Sequence, residues 1–360
     1  MQLVAYGAQD IYLTGNPQIT FFKVVYRRHT NFAVESIEQT FNGAAAEGQK
    51  FSCTISRNGD LLHRVYLECD VTSAGTGGNQ GFEMIDYVEV EIGGQCIDKH
   101  YGEWMAIWCS LTHDSDKLAM LTSMMPVSSS TIKTKSYIPL QFWFCRNPGL
   151  ALPLIALQYH EVKLNVQFSA SKSDGDANTK IDCCVFCDYI FLDTDERRRF
   201  AQVSHEYLIE QVQTSNDLTL STTTGGQAEL RFNHPVKEMM WVTKAAPGGA
   251  AKTNATALLQ LNGHDRFRKR AGSYFTNVQR YEHHTGEVNA EALGCPSTVH
   301  MYSFALKPEE HQPSGTCNFS RIDNAVLSVT GSGATVMKVY AVNYNVLRIM
   351  SGMGGLAYSN

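Results

Sequence analysis

The chain has 360 residues, a formal net charge of -5, 43% hydrophobic residues and only 18% charged residues. That length favours two domains, each large enough to bury a core. The acidic balance excludes a surface devoted to neutralising phosphates, so no direct nucleic-acid binding is expected. Charged content below the roughly 25% usual in soluble chains implies that other protein covers part of the surface.

The N-terminus lacks the basic region and apolar core of a secretory signal, and no apolar run of about 18 residues could span a bilayer. A soluble protein made in the cytosol is expected, with its ten cysteines reduced.

In chain order, residues 1–20 read as an N-terminal arm or a lead-in to the first strand. Ile19, Phe21, Phe22, Val24, Val25 and Tyr26 follow a Gly15-Asn16-Pro17 breaker. They suit either an arm beneath a larger assembly or the first strand itself. Val65, Leu67, Cys69 and Val71 alternate with Tyr66, Glu68 and Asp70, the signature of a half-buried strand. Val88, Val90 and Ile92 repeat it before a Gly93-Gly94 turn. Trp104, Trp108 and Leu111 then fall at helical spacing; Asp114-Ser115 can cap a second short helix bearing Leu118 and Leu121, stopped by Pro126. This Trp- and Met-rich stretch reads as a plug over one end of a sandwich.

Aromatic residues 137–145 read as a strand, followed by the Asn147-Pro148-Gly149 turn. Val162, Leu164, Val166 and Phe168 alternate with Lys163, Asn165 and Gln167, and residues 185–192 form a further apolar strand. The domain junction is placed between Asp193 and Glu210, with residues 207–213 opening the second unit. That unit repeats the order: residues 259–261, an Asn262-Gly263 turn, residues 301–306, Pro308, residues 325–329 and residues 336–347. Two copies of one sandwich-like, all-β unit point to a building block before an enzyme.

Several segments resemble a known family. The run Gly7-Ala8-Gln9-Asp10-Ile11-Tyr12-Leu13-Thr14-Gly15-Asn16-Pro17-Gln18-Ile19-Thr20-Phe21-Phe22-Lys23 is similar to the opening of major capsid proteins of large icosahedral double-stranded DNA viruses, nearest the phycodnavirus branch. Residues 55–61, 148–162, 312–321 and 345–358 are similar too, so the resemblance covers nearly the whole chain. It implies an all-β fold of two consecutive eight-stranded antiparallel jelly-roll sandwiches, with short helices in connecting loops: residues 21–205 and 206–360. It also implies a homotrimer with a pseudo-hexagonal outline that tiles a virion shell, assembled in host cytoplasm. The expected partners are further copies of itself, minor capsid and penton proteins, and an internal membrane where the shell encloses one. Residues 245–256 and 282–297 look short for the family, which leaves the size of any outward tower open.

No catalytic, cofactor-binding or metal residue is assigned. Cys184 and Cys187 have C-x-x-C spacing beside Cys183, but no second pair exists and residues three apart in a strand diverge. His283-His284 with Glu287 fails the metal-binding pattern of a cupin-like jelly roll, and a scattered surface or capping role is expected of the twelve histidines. Glu309-Glu310 sit in a Pro-flanked loop expected to be exposed, and adjacent carboxylates cannot flank a glycosidic bond. The basic clusters Arg197, Arg198, Arg199 and Arg266, Arg268, Lys269, Arg270 are read as inter-subunit or inter-domain contacts. Asn254 and Asn318 are glycosylation candidates, Asn254 in a loop expected to be exposed and Asn318 less accessible. A double-sandwich module that binds or cleaves carbohydrate stays open as the rival class.

Overall fold

The computed structural model describes residues 12, 14–24, 28–43, 45–72, 81–126, 134–170, 180–245, 251–286, 298–331 and 333–358. Eight principal strands build the first unit: β1 (Phe32–Gln39), β2 (Lys50–Thr54), β3 (Leu61–Thr72), β4 (Ile85–Ile92), β5 (Gln95–Tyr101), β6 (Thr134–Pro139), β7 (Val162–Phe168) and β8 (Lys180–Leu192). Eight more build the second: β9 (His205–Thr214), β10 (Gly226–Glu229), β11 (Pro235–Lys244), β12 (Thr256–Leu261), β13 (His264–Asp265), β14 (His300–Ser303), β15 (Ala325–Thr330) and β16 (Val336–Met350).

The sheet orders are β1-β8-β3-β6 (sheet 1) and β2-β7-β4-β5 (sheet 2), then β9-β16-β11-β14 (sheet 3) and β10-β15-β12-β13 (sheet 4). Adding eight to each strand of the first unit gives the second. Each unit is an antiparallel jelly roll, and the duplication extends to wiring as well as to strand count.

The alternating segments become strands with one face inward. Val65, Leu67, Cys69 and Val71 of β3 are at most 2% exposed, while Tyr66, Glu68 and Asp70 lie half-buried on the other face. Helices α1 (Gly102–Thr112) and α2 (Ser115–Met124) form as the spacing predicts, and the Asp114 side chain caps α2 by accepting from the Lys117 N–H at 3.1 Å. Each roll passes from strand to helix through a glycine jammed against backbone. A Cβ on Gly102 would lie 2.1 Å from the Phe82 carbonyl oxygen, and one on Gly272 would lie 1.9 Å from that of Asn254. Neither position can carry a side chain without moving the main chain.

Several expectations are corrected. The described residues 19–24 form no strand: Ile19, Phe21, Phe22 and Val24 are 76–98% exposed. The first strand is instead β1, whose first five residues are exposed on both faces and so carry no period-two signal. The strand expected over residues 137–145 ends at Pro139, and Trp143–Arg146 turns into a short helix, α3. The junction carries helix α4 (Thr194–Gln202), on which all three arginines are exposed. Residues 246–250 and 287–297, within the two stretches read as short, lie outside the described residues.

Asn254 is buried at 2% exposure. Its Oδ1 accepts a 3.0 Å hydrogen bond from the Thr243 hydroxyl, so this sequon is closed to a transferase. Asn318 is exposed, the reverse of the expected ranking. Peptide mapping should find Asn254 unmodified; a glycan on it would contradict the packing described.

Candidate functional site: the seam between the rolls and the open faces

Sheet 3 is covered on both sides, and its second cover is the first roll. Strand β11 is buried from Val236 to Thr243, which a strand between two layers requires. Met239, Trp241, Met337, Val339 and Ala341 face the core of the second roll, whereas Met240, Val242, Tyr340 and Val342 join the core of the first. The apolar part of this seam is continuous with a domain core, so the two rolls form one body.

Polar groups cross the seam in register. Asp98 of β5 accepts from the Val212 N–H of β9 at 3.1 Å, and Gln211 donates to the Ile97 carbonyl. Glu103 at the start of α1 accepts from the Tyr340 hydroxyl at 2.9 Å and pairs with Lys244 at 2.5 Å. Arg280 donates to the Ser110 carbonyl at 2.7 Å, and the Gly286 N–H donates to the Leu111 carbonyl at 2.8 Å.

At the centre, Glu210 receives two cations: Lys237 at 2.7 Å and Arg146 at 3.0 Å. The Lys237 side chain is fully buried. Arg146 lies 4.7 Å above the Trp108 ring, with Lys237 5.6 Å from the same ring. Burial alone would raise the Glu210 carboxyl, but Arg146 and Lys237 more than reverse this and hold it below the ordinary carboxylate range. Beside it, His284 Nε2 meets Glu238 Oε2 at 2.9 Å and its Nδ1 meets Glu309 Oε1 at 3.0 Å. Burial alone would lower this imidazole; the two carboxylates overcome it and push it up to about 9.

The surface role expected of the histidines is corrected here, because His100, His234, His284 and His300 are all buried. Glu309 is likewise committed to His284 and Thr285, while Glu310 stays exposed beside Lys307. Glu210 and Glu309 both border a cleft of about 330 Å³, yet each is held by its own cations and donors. Neither is left as an acid or base for chemistry. Among the described residues no group of three or more His, Cys, Asp or Glu is placed to hold a metal. Cys183 faces Cys69 across β8 and β3 with the sulfurs 3.2 Å apart. Cys187 is buried and Cys184 half-buried, so the C-x-x-C pair diverges.

The basic clusters separate. Arg197 of α4 reaches back to Asp60 at 2.8 Å, a tie within residues 21–205; Arg198 and Arg199 are exposed without such a tie among the described contacts. Arg266, Arg268, Lys269 and Arg270 are exposed on the second roll, with Arg270 stacked 4.1 Å over Tyr274. None of the seam partners was legible as a site. Their residues are 46 to 237 positions apart in several pairs, and no local spacing marks them.

Comparison with known proteins agrees with this architecture. The family model for the N-terminus of major capsid proteins matches residues 20–193, and that for large eukaryotic DNA virus major capsid proteins matches residues 196–355. The chain is 56% identical to the major capsid protein of Pyramimonas orientalis virus, across 100% of this chain and 99% of that one. It is 44% identical to that of Paramecium bursaria Chlorella virus 1, with the same coverage. Among solved structures, PBCV-1 VP54 superposes with a TM-score of 0.84 at 41% identity, over 95% of this chain and 100% of the other. The Faustovirus major capsid protein shares the fold alone, with a TM-score of 0.74 at 11% identity. With two stacked jelly rolls, buried carboxylates tied to structural partners and relatives of nearly full length, the chain belongs to the major capsid proteins of large eukaryotic DNA viruses, a structural family and not an enzyme.

Proposed function

We propose that the working unit is a homotrimer of this chain, a pseudo-hexagonal capsomer that tiles the icosahedral shell. Residues 21–205 and 206–360 are its two rolls. The observation that carries this reading is the matched wiring of the rolls: the outer face of sheet 3 is buried against the first roll, while its counterpart on sheet 1 is open. Three such chains, head to tail, make a ring of six similar modules with closed symmetry. Contacts within the trimer belong to the obligate class, above roughly 2,000 Å². Contacts between trimers are smaller because many act together.

The exposed apolar residues Ile19, Phe21, Phe22 and Val24 suit an arm that meets neighbouring copies or minor capsid proteins. Penton proteins would close the vertices, and an internal membrane would be the layer beneath where the virion has one. Cytoplasmic assembly fits the free cysteines among the described residues. Light scattering on the eluting protein should give three times 40.0 kDa; a stable monomer at micromolar concentration would defeat the proposal.

A further inference from the structure

The duplication assigns partners to two exposed surfaces, given the trimeric reading above. Within one chain, the outer face of sheet 3 is covered by two consecutive elements of the first roll, β5 and α1, which follow the Gly93-Gly94 turn. In the second roll the equivalent elements follow the Asn262-Gly263 turn. They are β13, the loop that carries Arg266, Arg268, Lys269 and Arg270, and the helical turns Tyr274–Val278 and Gln279–His283. Its inner side meets its own chain, with Phe275 in the core of the second roll and Arg280 bonded to Ser110, while among the described residues its outer side stays open. The four basic residues are exposed, and so are Val278 at 42% and Tyr281 at 89%.

The face left without a cover is the outer side of sheet 1, the counterpart of the covered side of sheet 3. Its centre is an aromatic row across three strands, with Tyr137 and Tyr66 rings 6.5 Å apart and Tyr66 and Phe186 stacked at 5.4 Å. All three are half-buried. Strand register places five carboxylates on the same face: Glu38 opposite Phe186, Glu68 opposite Tyr137, Asp70 opposite Asp182, and Asp188 opposite Ser36. Lys135, opposite Asp70, lies among them and pairs with Glu68 and Asp70, and Lys180 follows in register opposite Thr72. Asp70 lies between Asp182 on one neighbouring strand and Lys135, 4.0 Å away, on the other.

We infer that the acidic, aromatic face of sheet 1 in one copy receives the basic loop (residues 266–270) and the Val278–Tyr281 helical face of a second copy. The contact is heterologous and head to tail, and three of them close the ring. Apolar groups meet at the centre: the Tyr137–Tyr66–Phe186 row against Val278 and Tyr281. Opposite charges surround them and set register and association rate.

The test uses the full chain in three variants. One reverses the basic loop (Arg266→Glu, Arg268→Glu, Lys269→Glu), one reverses the acidic face (Glu68→Lys, Asp70→Lys, Asp182→Lys), and one combines both sets. Light scattering across a dilution series should show each single-side reversal weakening the trimer at least tenfold, and the combined variant recovering most of that loss. Circular dichroism shows whether each variant is folded. A second measurement needs no variant. Carbodiimide cross-linking of a mixture of isotope-labelled and unlabelled wild-type protein should join Lys269 of one copy to Glu68, Asp70, Asp182 or Asp188 of another. Folded reversals that trimerise like wild type, a combined variant no better than either set, or the absence of those cross-links overturns the surface assignment while leaving the trimer standing. A wild-type chain that stays monomeric removes the trimeric reading itself, and the inference with it.

Discussion

Replacing Glu210 with Gln should cost about 3–5 kcal/mol of folding stability, because it leaves the buried Lys237 ammonium without its counter-charge. For a roll of this size that corresponds to a thermal midpoint lower by roughly 10 °C. The residue is 5% exposed and is bound by both Lys237 and Arg146; Lys237 is fully buried and cannot reach water without opening the seam, whereas Arg146 is partly exposed. A second change sharpens the expectation. Glu210→Gln with Lys237→Met removes both buried charges and should recover most of the loss, as for other buried pairs replaced by apolar groups. The exposed pair Arg231–Glu229, at 83% and 58% side-chain exposure, is the control. Neutralising Glu229 should change stability by less than about 1 kcal/mol. Chemical denaturation of the four proteins decides the matter, and equal midpoints for Glu210→Gln and Glu229→Gln would show that the seam does not depend on this ion cluster.

Stability should also fall as pH rises from about 6.5 through 9, and His284 should account for it. The imidazole sits between Glu238 and Glu309 and is pushed up to about 9, above the ordinary value near 6.5. A group raised on folding contributes fully below its unfolded value and loses that contribution as pH climbs through its folded one. The amount at stake is on the order of 3 kcal/mol. Two other histidines act in the opposite direction. Burial holds His113 and His300 down to about 4, so their contribution is complete above about 6.5 and fades as pH drops towards 4. A His284→Asn variant should therefore be less stable than wild type at pH 6.5 and nearly as stable at pH 9.5, with its acid arm unchanged. Parallel stability curves across the alkaline range would rule out a charged His284. The consequence reaches across the seam, since Thr285 and Gly286 beside it bond to the end of α1.

Strands with one wet face were legible because burial and sequence alternate together, as in β3 and β7. The capped helix pair was legible because Asp114 and Pro126 bracket it. What could not be read falls at places where a strand lacks one wet and one dry face. Residues 32–36 of β1 are wet on both sides, so Phe32 and Val34 gave no period. Strand β11 is dry on both sides and carries Lys237 and Glu238 in its middle, a composition that suggests no buried strand until their partners are known. Those partners lie on other elements: Glu210, His284 and Glu309 come from distant parts of the second roll, and Arg146 joins from the first. Asn254 misled for a related reason. Its Gly- and Thr-rich surroundings resemble an exposed loop, but Gly272 closes directly over its backbone and Thr243 fixes its side chain.

The seam also explains why duplication suits a shell. One roll already covers the outer face of its successor within a chain, using apolar contact edged by charge. Repeating that contact between chains needs no new kind of interface, only the open face of sheet 1 and a second copy to fill it.

Electron microscopy of purified assemblies tests this most directly. Six similar densities around a threefold axis, each fitted by one roll with its sheets upright, is the expected image. Particles built from a ring with three lobes only, or from dimers, would contradict the account.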